Sequence, residues 1–155
     1  MDIITASESH IPTMVELWNE FMDYHRDIQP VYTRAEDAGT KFGEHLKGLM
    51  ESNDAQVLVA LDRGEAIAYS IAQISKRPPV FREAEFAFIS DLGVRSDYRR
   101  RGVGERMLKE ILEWFKSRNM KRIELLVLSE NKAGVSFWRK HGFEVMAHRM
   151  FLAGS

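Results

Sequence analysis

The chain has no cysteine, so no disulfide can staple it, no protein thiolate can hold a soft metal, and no protein sulfur can carry an acyl group. An excess of charge of one sign is missing too: 22 Lys and Arg stand against 23 Asp and Glu, leaving −1. A chain so balanced has no general attraction for nucleic acid, and any basic cluster must be judged locally. No apolar run reaches the roughly 20 residues that span a bilayer, and Met1-Asp2-Ile3-Ile4 opens without a basic region or a long apolar stretch. The expected location is the cytoplasm, with no membrane partner. Low-complexity sequence and internal repeats are absent, which argues against disorder. His10, His45 and His148 have no metal-ligand spacing, so no metal is expected.

What is present suits a single domain spanning 155 residues, 45% of them hydrophobic. Asp2–Thr5 reads as a strand. Ser7 or Ser9 caps a helix with Pro12 in its first turn, and Val15, Trp18 and Met22 recur along it at three to four residues. A polar and aromatic mixture around Pro30 ends that helix. Residues 34–51 predict a second helix with Phe42, Leu46 and Leu49 inward. Residues 56–61 and 66–75 read as a hairpin around Asp62-Arg63-Gly64-Glu65, and Pro78-Pro79 stops its second strand.

Glu85–Val94 is a central strand, apolar on both faces. Strict alternation places Phe86, Phe88, Ser90, Leu92 and Val94 on one side, and Glu85, Ala87, Ile89, Asp91 and Gly93 on the other. The helix that follows buries Val103, Met107, Leu108, Ile111, Leu112 and Phe115. Residues 122–128 give another strand, Asn131 caps a helix over Lys132–Lys140, and Gly142 suits its end. Residues 143–145 and 147–152 predict a closing hairpin. Strands and helices so mixed predict an α/β fold, a mixed central sheet flanked by helices on both faces.

Between the central strand and its helix lies Asp97-Tyr98-Arg99-Arg100-Arg101-Gly102-Val103-Gly104. A strand's carboxyl end here meets a helix's amino end, where backbone N–H groups lack partners and the helix dipole favours an anion. Gly102 and Gly104 let the main chain turn tightly and a phosphate approach closely. The dinucleotide fingerprint fails, because Met107 stands at its third glycine. The Gly-Lys-Ser/Thr of a nucleotide phosphate loop is missing as well.

Arg99-x-x-Gly102-x-Gly104 after a central strand, with Asn131-x-Ala133 and Phe137-Trp138-Arg139-Lys140-His141-Gly142-Phe143 downstream, resembles the GCN5-related N-acetyltransferases. The resemblance implies that family's fold, with acetyl-CoA as co-substrate. The main-chain amides of Arg99, Arg100, Arg101, Gly102, Val103, Gly104 and Glu105 would hold the pyrophosphate, and the three arginines would also meet the 3′-phosphate. The backbone of Leu92, Gly93 and Val94 would pair with the pantetheine arm, which Asn131 would contact from the other side. A Gly104→Val change is expected to fill the space of the phosphate oxygens and weaken acetyl-CoA binding at least about tenfold.

The loop between the first two helices would wall the acceptor pocket, bringing in Tyr24, His25, Tyr32 and Arg34. A lysine-like amine, with a pKa of about 10.4, is neutral in only about one molecule in a few thousand at pH 7, so a base is needed. Two subfamilies carry a Glu where this chain has Phe88 and Ser90. Asp91 remains as the nearest carboxylate, on the opposite face unless a bulge redirects it, with a base acting through water as the alternative. Trp138 stands where most members have a Tyr that protonates the leaving thiolate. Direct transfer to a primary amine follows, the acceptor being a small molecule, polyamine, amino acid or peptide, and nucleic acid being no partner. A homodimer could form on the edge of the last hairpin. The alternative is a CoA-binding sensor without turnover.

Overall fold

Five strands form one sheet in the order of the sequence: β1 (Asp2–Thr5), β2 (Ala55–Asp62), β3 (Glu65–Lys76), β4 (Glu85–Val94) and β5 (Ile123–Leu125). They belong to a computed structural model that describes residues 1–154. The first four strands pair antiparallel, and β4 pairs parallel with β5. Parallel neighbours need a crossover, and α3 (Val103–Ser117) supplies it.

One face of the sheet is covered by α1 (Ile11–Ile28) and α2 (Ala38–Glu51), whose Met14, Leu17, Phe42 and Leu46 pack with Val57, Val59, Tyr69 and Ile71. On the other face α3 buries Val103, Met107, Leu108, Ile111 and Phe115 against Leu58, Ala68, Ala87 and Ile89. There α4 (Lys132–Lys140) adds Phe137 and Trp138. The mixed sheet with helices on both faces is therefore as the pattern of the sequence predicts.

Four local expectations change. The deepest residues of α1 are Met14 and Leu17, while Trp18, on the flank, stacks on Phe42 at 4.3 Å. Helix α2 starts at Ala38 and not at residue 34, because Arg34 is drawn back onto α1 by the Asn19 carbonyl (2.7 Å) and the Asp23 carboxylate. The 122–128 strand is regular only over Ile123–Leu125. The closing hairpin does not form: residues 143–154 contain no strand, and the whole stretch from 144 to 154 is exposed. No Gly, Pro, Asn or Asp between Phe143 and Leu152 could turn the chain back on itself.

The register between β3 and β4 positions the site. Ile71 lies opposite Asp91 and Ala72 opposite Ile89, so Ser90 is one residue too many on β4. Such a bulge inverts the parity of everything beyond it. Ala87 and Ile89 face α3 before the bulge, and Leu92 and Val94 pack on that same side after it. Asp91 and Gly93 therefore turn to the α1 and α2 face, where Phe86 and Phe88 also point. This corrects the strict alternation, which set Asp91 against Phe88. Pairing of β4 with β5 stops at Ile89, opposite Leu125, the last residue of β5, and β4 runs on to Val94 without a neighbour on that side.

Candidate active site

After β4 the chain makes a short 3₁₀ turn at Ser96–Tyr98 and then passes through two left-handed residues, Arg100 (φ 62°) and Gly102 (φ 78°). Glycine accepts this conformation freely, whereas for arginine it costs on the order of 1 kcal/mol, a local strain characteristic of binding loops. The first helical bond of α3 runs from the Arg106 N–H to the Gly102 carbonyl (3.1 Å). Among the described residues, the N–H groups of Arg100, Arg101, Gly102, Val103, Gly104 and Glu105 have no acceptor. The arginines, Gly102 and Glu105 are exposed. A run of free amides at the positive end of a helix suits an anion.

Neighbouring side chains brace this bend without covering it. The Tyr98 hydroxyl donates to Asp62 (2.5 Å), Arg95 bonds Glu65 and Asp97 (2.8 and 2.7 Å), and Arg101 lies over the Tyr98 ring at 4.9 Å. Arg99 donates to the Val94 carbonyl (3.2 Å) and stands 3.6 Å from Glu20, while Arg100 has no ion pair among the described residues. The two glycines differ in what they do. A side chain at Gly102 would meet open space, so only its backbone angle demands glycine. One at Gly104 would point at the Phe137 ring (3.5 Å) and Val94 (3.9 Å), hence into the packing with α4 and not before the amides. The steric reason expected for Gly104→Val is revised accordingly.

Beyond Ile89 the β4 edge of Leu92, Gly93 and Val94 has no β5 partner. Asn131 caps α4: its side-chain oxygen accepts from the Gly134 N–H (2.9 Å) and from the Tyr24 hydroxyl (3.1 Å). Its amide nitrogen has no acceptor among the described residues and is left to donate. Gly134 is bound to this arrangement, since a Cβ there would lie 2.5 Å from that nitrogen.

At the bulge, the Tyr69 hydroxyl donates to the Asp91 carboxylate (2.8 Å). Burial raises the Asp91 pKa above the ordinary carboxylate range, against the opposing pull of hydrogen bonds and of nearby His45 and His25. Burial and the Asp91 charge also push the Tyr69 phenol well up. Tyr69 is fully buried and reaches Asp91 only because Gly93 is bare, since a Cβ there would lie 2.7 Å from the ring.

Tyr24, His25 and Tyr32 do assemble as one aromatic wall, with ring centres of the tyrosines 6.1 and 6.5 Å from His25. Nδ1 of His25 lies 2.8 Å from the Phe21 carbonyl, which can only accept, so Nδ1 carries the proton and a neutral ring has its lone pair on Nε2. Arg34 does not join this wall. Ser90 is exposed at the bulge, its hydroxyl donating to the Ile71 carbonyl (3.2 Å). Trp138 packs between Phe137 (4.9 Å) and Phe143 (5.3 Å), and its indole N–H has no acceptor among the described residues. Sequence reasoning missed Tyr69, which read as plain core, and Glu20, which accepts from the Ser96 N–H at 2.8 Å below the bend. No trio of metal-ligating side chains occurs among the described residues. No described helix is long and apolar enough to cross a membrane.

A mixed sheet whose bulged central strand leads into an amide-lined bend at the amino end of a helix is an arrangement suited to an anionic group. The family model of the acetyltransferase (GNAT) family matches residues 12–143, and the chain belongs to that family. It is 29% identical over 106 residues to an uncharacterized N-acetyltransferase of Methanocaldococcus jannaschii, covering 64% of this chain and 44% of that protein. It is 28% identical over 92 residues to an L-amino acid N-acetyltransferase of Escherichia coli, covering 57% of this chain and 52% of that protein. The matches thus span about half the length of these curated relatives. The crystal structure of a mutant form of a Bacillus halodurans protein superposes with a TM-score of 0.91 at 23% identity over 100% of both chains.

Proposed function

We propose that the protein transfers the acetyl group of acetyl-CoA directly to a primary amine. The observation that carries this reading is the run of unpartnered amides at residues 100–105, in the largely exposed bend between β4 and α3. These amides receive the pyrophosphate, and Arg99, Arg100 and Arg101 the 3′-phosphate. The edge of Leu92, Gly93 and Val94 receives the pantetheine arm as an added strand, and the free amide nitrogen of Asn131 donates to it. The thioester then lies near the bulge.

Asp91 is the base in this reading, since the bulge turns it to the acceptor side and burial gives it a stronger grip on a proton. Tyr69 is the positioning residue that holds its carboxylate. The amine nitrogen attacks the thioester carbonyl carbon, the C–S bond breaks, its electron pair leaves on the CoA sulfur, and the amine proton passes to Asp91. A thiol of pKa near ~8.5 leaves tolerably as thiolate without an acid, so the Trp138 N–H needs only to hydrogen-bond it. With no cysteine to hold an acyl group, both substrates must be bound together. The wall of Tyr24, His25 and Tyr32, with Ser90, borders the acceptor, a small molecule, polyamine, amino acid or peptide end. Neither nucleic acid nor a membrane takes part, and the reaction belongs to the cytoplasm.

The test is a panel of such amines with acetyl-CoA, read as free thiol. At least one class should release CoA in proportion to amine. Binding of acetyl-CoA with no amine-dependent release in any class would favour the sensor and contradict the enzyme.

A further inference from the structure

One charged cluster stands apart from both the bend and Asp91. Arg77, just past β3, and Arg122, just before β5, donate to the same carboxylate oxygen, Oε2 of Glu124, Arg122 through Nε at 2.8 Å. Arg77 also lies over the Phe86 ring, 4.2 Å from its centre. The side chains of Arg77 and Glu124 are 22% and 16% exposed, and the Arg77 guanidinium holds the Glu124 carboxyl below the ordinary range. Two guanidinium groups thus share one carboxylate, and the half-buried trio keeps an excess positive charge. Their donors are not used up. Nε and Nη1 of Arg77 and Nη1 of Arg122 have no acceptor among the described residues, and Nη2 of Arg122 meets only the Met146 sulfur (3.3 Å), a weak one. A cleft of about 420 Å³ opens beside them. Arg82 and Glu83 also line it, and their charges offset one another.

The cluster lies on the same side of the sheet as Asp91. Ile123 and Leu125 pack with Ala87 and Ile89 on the α3 side, so Phe88, and Glu124 opposite it in the parallel register, point to the α1 and α2 side. The bulge turns Asp91 there as well. Asp91 follows Phe88 by three residues, roughly 10 Å along the strand. The rings of Phe88 and Phe86, edge to face at 6.2 Å, line the way from Asp91 to the arginines.

We propose that Arg77 and Arg122 bind a carboxylate of the acceptor, which is therefore an acid-bearing amine whose acid lies roughly 10 Å from its reacting nitrogen. This rests on the transferase reading and names the class of its acceptor. Paired guanidinium forks suit a carboxylate, and the aromatic floor suits an apolar middle. An extended tripeptide spans roughly 10 Å, whereas a single α-amino acid is too short. A polyamine would carry its further charges toward two cations and be repelled.

Acetylated products separate recognition from turnover, because they keep the acid and have no reacting amine. With CoA present, calorimetric titration should show N-acetyl-Gly-Phe-Gly binding at least about tenfold more tightly than its carboxyl-terminal amide. That preference should fall to about unity in Arg77→Gln and in the more exposed Arg122→Gln, with the affinity for the amide product and the far-ultraviolet spectrum unchanged. In turnover, Gly-Phe-Gly should exceed its amide through KM and not through kcat. Equal affinity of acid and amide, no saturable binding of either, or a preference that survives both substitutions would overturn the site. Acid-selective binding without acetylation of Gly-Phe-Gly would uphold the carboxylate site and contradict the transfer reaction.

Discussion

An Asp91→Asn protein is expected to lose about two to four orders of magnitude in kcat/KM for the amine while binding acetyl-CoA with unchanged affinity. At neutral pH it should be more stable than the parent. The two effects share one cause. Burial raises the Asp91 pKa, so the native carboxyl keeps its proton to a higher pH than the same group in the unfolded chain. Between those two pKa values the native state binds more protons, and stability falls as pH rises. Above that window the charged, half-buried Asp91 costs the fold energy. Asparagine keeps an oxygen for the Tyr69 hydroxyl (2.8 Å) and carries no charge.

Urea unfolding should therefore show the variant ahead at pH 8 and level with the parent below about pH 3, where the aspartyl group is protonated in both the folded and the unfolded chain. The parent's kcat/KM should rise with pH through a carboxyl titration above the ordinary range, and the variant's profile should lack that limb. Equal activity would remove Asp91 from the reaction, and a variant less stable at pH 8 would contradict the assigned cost of its charge.

Gly102→Val should weaken acetyl-CoA binding at least about tenfold, or about 1.4 kcal/mol. The space around Gly102 is open, so no collision is introduced. What changes is the backbone. A left-handed φ of 78° costs a side-chain-bearing residue about 1–2 kcal/mol, and a β-branched one at least the upper end. The bend escapes by returning φ to negative values, which swings the neighbouring N–H groups out of register with the anion. Gly102→Ala should lie between parent and valine. Calorimetric titration measures the series, and far-ultraviolet dichroism should show α3 intact throughout. Undiminished affinity in the valine variant would mean that the left-handed turn is not what presents the amides.

Features written in neighbouring residues were readable from the sequence. Glu85–Val94 has the bounds its apolar pattern predicts, and the strand, bend and helix follow in order because Gly102 and the Val103-to-Phe115 stripe act locally. The facing of Asp91 was not readable, because parity beyond Ser90 depends on which residue of β3 lies opposite, a choice made by two strands together. Tyr69 is invisible for the same reason: only that register, with Gly93 bare, brings its hydroxyl to Asp91. The start of α2 moved because Arg34 prefers acceptors on α1 to a place in the helix. At the carboxyl end neither expected strand forms, because a hairpin needs a turn as well as strand-forming residues, and none is there.

The account rests on the peptide nitrogens of the bend receiving a diphosphate. Amide proton and nitrogen resonances of the full chain, followed by NMR as CoA is added, test it directly. Those of Arg100, Arg101, Gly102, Val103, Gly104 and Glu105 should move in a saturable way, the protons downfield as each gains an acceptor, while those of Gly48, next to Leu49 and Met50 where α2 meets Trp114 near the far end of α3, stay in place. Saturable binding of CoA that leaves these six amides unmoved would contradict it.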